Sequence, residues 1–129
     1  MEAAAVSNKI HVLIADDQPL FAETLKALLA TDRRIDVVGS AQDGKEAVRL
    51  WRKLRPDVIL MDISMPIMDG FEATRQIRKV REDACVLMLT GSNSRTDVDL
   101  ARRAGAAGYV TKDRIAADLI EAIVQVAAR

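Results

Sequence analysis

Five short aliphatic runs, each followed by an amphipathic helical pattern, fill the chain from Ile10 to its end with no gap between units. The runs are IHVLIA (10–15), IDVVGS (35–40), DVILMD (57–62), CVLMLT (85–90) and GYVT (108–111). Most carry Val, Ile and Leu at consecutive positions, the pattern of strands buried on both faces of a parallel sheet. IDVVGS is more mixed, which suits an edge strand.

The intervening segments repeat apolar residues at helical spacing. Pro19 fits the first turn of a helix that carries Phe21, Leu25, Leu28 and Leu29. Ala47, Leu50, Trp51 and Leu54 form a second stripe, which Pro56 stops. Phe71, Thr74, Ile77 and Arg78 mark a third. A fourth, over 96–104, has only Val98, Leu100 and Ala101 with small residues, and the last, over 115–128, aligns Leu119, Ile120, Ile123, Val124 and Ala127. Alternating strand and helix predict an α/β fold, a doubly wound five-stranded parallel sheet with right-handed crossovers and helices on both faces. The 129 residues suit one domain. It is expected to span 9–129, with 1–8 fraying.

Composition removes several function classes. Nineteen basic and nineteen acidic residues cancel, leaving no electrostatic footprint for direct nucleic-acid or membrane-surface binding. No apolar run is long enough to span a membrane, and MEAAAVSNK lacks the pattern of a secretion signal. The lone Cys85 reads as an apolar core thiol, and a reducing, cytoplasmic setting fits it. His11, the single histidine, reads as structural, so histidine-based zinc sites and acid–base pairs are unsupported. Met61, Met65, Met68 and Met88 read as core or loop filler and Trp51 as core.

In doubly wound sheets ligands bind beyond the carboxyl ends of the strands. Asp16 and Asp17 follow the first run, Asp62 ends the third, Thr90 ends the fourth and Lys112 follows the fifth. The fold brings them to one edge. Three close carboxylates repel one another, and burial disfavours their charged forms. A hard divalent cation relieves both. Mg²⁺ takes oxygen ligands, keeps several waters and uses one or two carboxylates directly; Mn²⁺ is an alternative. Asp17 and Asp62 are expected as direct ligands, Asp16 through a water, and the Ser64 carbonyl to complete the set. A carboxylate aimed from a rigid strand tip can act as a nucleophile toward phosphorus. Lys112 and the Thr90 hydroxyl would then hold the other phosphoryl oxygens.

Each residue also has a plainer reading. Asp17 beside Pro19 can cap the first helix, and Thr90 can be a simple β-former. Pro66 and Gly70 are turn residues, and Asp69 is accepted as the cap of the third helix. Tyr109 can be half-buried packing on the last strand. The joint presence of Asp16, Asp17, Asp62 and Lys112 at strand ends favours the functional reading.

The motifs DD (16–17), LMDISMPIMDG around Asp62, LTGS with Thr90 and GYVTKD with Tyr109 and Lys112 stand in this order on these elements. With them the chain resembles the receiver domain of bacterial two-component response regulators over about residues 9–128. The resemblance implies a flavodoxin-like (CheY-like) sheet in the order 2-1-3-4-5. It implies that Asp62 accepts a phosphoryl group from a sensor histidine kinase or a small phosphodonor, as a self-phosphorylating and self-dephosphorylating acceptor rather than a turnover enzyme. Thr90 would then move toward the phosphate and Tyr109 turn inward, changing the surface of the fourth helix, fifth strand and fifth helix. A phosphorylation-dependent homodimer is the expected consequence. GYVTKD preceded by AGAAG is similar to receivers of the NarL/FixJ type, which carry a LuxR-like helix-turn-helix. The chain stops after the last helix, which favours an excised output domain over a stand-alone receiver. Many receivers place a proline after a cis bond where Asp113 stands. Asp113 needs no cis bond and is expected to cap the last helix, starting at Arg114. Ser64 and Ser92 flank the site.

Nucleotide or flavin binding is a poor alternative, because Asp16-Asp17-Gln18-Pro19 has the wrong charge and no glycine. A haloacid-dehalogenase-type phosphatase would place its nucleophile after the first strand, with a second aspartate two residues on.

Overall fold

The computed structural model describes residues 9–91 and 94–128. Its elements are β1 (Ile10–Ala15), α1 (Pro19–Leu29), β2 (Ile35–Ala41), α2 (Gly44–Leu54), β3 (Val58–Asp62), α3 (Gly70–Val80), β4 (Val86–Thr90), α4 (Arg95–Ala104), β5 (Gly108–Thr111) and α5 (Ile115–Ala127). A single 3-10 turn, Lys112–Arg114, joins β5 to α5. All strand pairs are parallel, and the sheet order is β2-β1-β3-β4-β5. The mixed run β2 is indeed an edge. Expectations for residues 1–8 and for Ser92 lie outside the described residues.

The strand alternation feeds two cores, one on each face of the sheet. Val12, Ile14, Val58, Leu60, Leu87, Leu89 and Val110 pack with Ala22, Leu25 and Leu29 of α1 and Leu119 and Ile123 of α5. Leu13, Ala15, Ile59, Met61, Val86 and Met88 pack with Trp51 of α2, Ile77 of α3 and Ala101 of α4. Burial of β3 and β4 at every position explains their unbroken aliphatic runs. Trp51 and Met61 are core residues, as expected. The Cys85 thiol is part-buried and donates to the Val126 carbonyl at 3.4 Å.

Helix starts follow local chemistry. Asp43 and Asp69 accept from the backbone N–H of Glu46 (2.7 Å) and Glu72 (2.9 Å), so Asp69 caps α3 as its sequence suggested. Asp113 does not cap α5. The 3-10 turn runs directly into α5, Asp113 lies inside that turn, and Arg114 precedes the helix without a side-chain cap. Asp17 does not cap α1 either; Gln18 holds the cap position, and its N–H donates to Asp16. His11 is structural through its backbone, whose N–H donates to the Asp57 carboxylate at 2.7 Å. Leu100, counted in the α4 stripe, is exposed rather than core.

Candidate functional site

Strand register assembles the site. Ala15 pairs with Met61, so Asp16 and Asp62 leave adjacent strands side by side. Asp62 pairs with Leu89, one residue before Thr90. Thr90 pairs with Thr111, one residue before Lys112. Continuing the two-residue alternation, Asp16, Asp62 and Lys112 fall on the α1/α5 face of the sheet and Thr90 on the other.

Asp16, Asp62 and Thr90 are buried, whereas Asp17 and Ser64 are exposed. One carboxylate oxygen from each of Asp16, Asp17 and Asp62 lies within 4.8 Å of the others. Lys112 Nζ lies 3.3 Å from Asp62 Oδ1 and 3.9 Å from Asp16 Oδ2. It also stands 4.6 Å from the centroid of the Phe21 ring. Asp16 Oδ1 accepts from the Gln18 N–H at 2.8 Å. Asp16 Oδ2 is buried and makes no hydrogen bond. With all groups ionised, one ammonium faces three carboxylates. Burial raises the carboxyl of Asp16 above its ordinary value, with Gln18 and Lys112 opposing. Burial raises Asp62 as well, reinforced by the charge of Asp16 and opposed by Lys112.

An all-oxygen cluster with surplus negative charge and a buried oxygen that accepts no hydrogen bond fits a hard divalent cation. The same arrangement presents Asp62 beside a fixed positive charge, which suits attack by its carboxylate on an electrophilic phosphorus.

Three residues shape the site without having been singled out for it in the sequence. A side-chain carbon on Gly70 would collide with the Asp62 carbonyl oxygen. Glycine therefore lets α3 start directly against the end of β3, where the Gly70 N–H donates to the Ile63 carbonyl at 2.8 Å. Thr74, fully buried, donates its hydroxyl to the Gly70 carbonyl at 2.7 Å and touches Met88 Sδ at 3.4 Å. Phe21 supplies the ring beneath Lys112. The signal for Gly70 was its place in MDG close after Asp62; Phe21 had only its position in the first turns of the helix that follows Asp17.

Tyr109 is 44% exposed on β5, close to the half-buried packing of its plainer reading. It borders a cavity of about 190 Å³ shared with Val98, Ala101 and Ala107.

The family model for the response regulator receiver domain matches residues 12–124. The chain is 43% identical over 120 residues to transcriptional regulatory protein DegU of Brevibacillus brevis, covering 93% of this chain and 51% of that protein. It thus spans about half the length of curated relatives it matches. Among solved structures, the receiver domain of NarL from Mycobacterium tuberculosis superposes with a TM-score of 0.89 at 33% identity, covering 94% and 98% of the two chains. The Saccharomyces cerevisiae receiver domain of Ssk1, solved with the histidine phosphotransfer protein Ypd1, gives a TM-score of 0.84 at 28% identity, covering 94% and 90%. The sheet order, the strand-end cluster and these likenesses agree: the chain belongs to the response regulator receiver family, among receivers of the NarL and DegU type.

Proposed function

We propose that Asp62 is the phosphoacceptor of this receiver domain, and that Asp16, Asp17, Asp62 and the Ser64 carbonyl hold Mg²⁺, or Mn²⁺, during the transfer. The carrying observation is the buried Asp62 carboxylate 3.3 Å from the Lys112 ammonium, inside a three-carboxylate cluster. An Asp62 oxygen attacks phosphorus, a P–O bond forms, and the bond to the donor breaks with its electron pair leaving on the donor. The donor is a phosphohistidine of a sensor kinase or phosphotransfer protein, or a small acyl phosphate. Lys112 neutralises charge on one phosphoryl oxygen, and the Thr90 hydroxyl donates to another. When bound, the cation favours the ionised carboxylates and neutralises charge on a phosphoryl oxygen.

Signal output follows from the shared edge. Thr90 and Lys112 flank β5, which carries Tyr109, so recruiting Thr90 to the phosphoryl group opens room for Tyr109 to turn from solvent toward the cavity beside α4. The switched surface of α4, β5 and α5 then controls a LuxR-type DNA-binding output domain. The chain acts as a cytoplasmic signalling component that gains and loses its own phosphoryl group, not as a turnover enzyme. No described helix is long and apolar enough to cross a membrane.

Borohydride reduction after incubation with acetyl phosphate and Mg²⁺ tests the site directly. An acyl phosphate on Asp62 is converted to homoserine, and peptide mapping then finds the change at residue 62. A change at another carboxylate would remove the assignment.

A further inference from the structure

We propose that Phe21 is a positioning residue for Lys112: its ring face holds the ammonium in place for the phosphoryl group. The inference rests on the reading of Asp62 as acceptor and Lys112 as its cationic partner.

Lysine is a poor candidate for unaided positioning. Its charge sits on a flexible four-carbon stem with many rotamers, and water competes for it. Lys112 begins the 3-10 turn after β5, and its side chain keeps 26% of its exposure, so an outward rotamer is open to it. Yet its Nζ stands over the Phe21 ring, 4.6 Å from the centroid. That distance lies within the range at which the negative face of an aromatic ring attracts an ammonium.

The ring itself is partly buried. Phe21 lies near the start of α1 and packs against the core beneath that helix, on the sheet face from which Asp16, Asp62 and Lys112 project. The ammonium is therefore held from three sides, by Asp62, Asp16 and the ring. The three holds differ in kind. The two carboxylates are the groups on which a divalent cation draws, and their attraction for Lys112 weakens as they are neutralised. The ring carries no net charge and offers no oxygen ligand, so its hold persists. An uncharged π face is thus suited to keep a cation beside carboxylates that serve another partner.

Phenylalanines carrying one, two and three ring fluorines at position 21 weaken the quadrupole at nearly constant shape, and Phe21→Leu removes it. Initial rates of phosphoryl uptake from acetyl phosphate at saturating Mg²⁺ are expected to fall stepwise, by about three- to tenfold across the series. The thermal midpoint should stay level along the fluorine series. The dependence should vanish in a Lys112→Ala background, which a purely structural role would not produce. Independently of activity, the Lys112 ε-methylene protons should be shifted upfield by the ring in the parent, and Phe21→Leu should abolish that shift. A flat series on an active parent, or an equal loss without Lys112, overturns the positioning role and leaves Asp62 as acceptor. Absence of the upfield shift overturns the geometry itself. A folded parent that accepts no phosphoryl group overturns the Asp62 reading and this inference with it.

Discussion

Lys112 Nζ lies 3.3 Å from Asp62 Oδ1, the shortest ion pair among the described residues at the strand-end cluster. A pair this close between a part-exposed ammonium and a buried carboxylate cancels charge locally, whereas Asp16 meets the same ammonium only at 3.9 Å. Replacing Lys112 therefore separates two roles. Lys112→Ala is expected to leave Mg²⁺ binding intact by calorimetry, while phosphoryl uptake slows by about tenfold or more. The response of the α4, β5 and α5 surface should also be lost. A Lys112→Ala protein that responds fully would contradict this.

Asp16 and Asp62 set a pH dependence whose sign follows from their surroundings. Burial raises both carboxyls above the ordinary 3.8, and Asp16 adds to the effect at Asp62. A carboxyl raised on folding binds more protons in the folded chain than in the unfolded one. Its contribution to stability is best below 3.8, falls as pH climbs through the raised value, and stays low above it. In chelator at pH 7, Asp16→Asn should melt a few degrees above the parent, since the amide keeps the acceptor for Gln18 and removes one repelling charge. The advantage should shrink toward pH 4. Mg²⁺ at about 100 times its Kd should stabilise the parent by about 2.7 kcal/mol and the variant far less. A melting temperature for Asp16→Asn below that of the parent in chelator would contradict the sign.

Gly70 has no room for a side chain against the Asp62 carbonyl, whereas a side-chain carbon on Gly91 meets nothing within 4 Å. Gly70→Ala should cost roughly 2–3 kcal/mol in urea unfolding by forcing α3 off the end of β3. Gly91→Ala should stay within about 0.5 kcal/mol. Equal effects would show that the contact between α3 and β3 does not constrain the acceptor strand.

Leu100 and Tyr109 are exposed on α4 and β5, and the short apolar stripe of α4 makes that helix easy to shift. Phosphorylation is expected to produce a dimer through the α4 and α5 region. Light scattering with and without beryllofluoride should show the mass double. An unchanged monomer would remove dimerisation from the account.

The strand-end residues were legible because parallel strands that alternate with helices must deliver their C-terminal ends to one edge. Asp16, Asp62, Thr90 and Lys112 each directly end or follow an aliphatic run, so their convergence needed no side-chain detail. What was not legible depends on geometry that periodicity does not carry. Phe21 fits a helical stripe equally well as core or as a wall for Lys112, and only the distance to the ammonium separates the two. Gly70 reads as turn punctuation until the approach of α3 to Asp62 is known. Ile67 takes a left-handed backbone with φ 72, a feature no β-branched residue advertises. Asp113 was misread as a cap because a 3-10 turn and an extended approach to a helix look alike in one dimension.

The central claim is that Asp62 accepts a phosphoryl group with the help of a divalent cation. Intact mass after incubation with acetyl phosphate, with and without Mg²⁺, beside Asp62→Asn, tests it most directly. The account predicts a single phosphoryl adduct on the parent with Mg²⁺, none with chelator, and none on a folded Asp62→Asn protein. An adduct that survives in Asp62→Asn, or its absence from the folded parent with Mg²⁺, would contradict it.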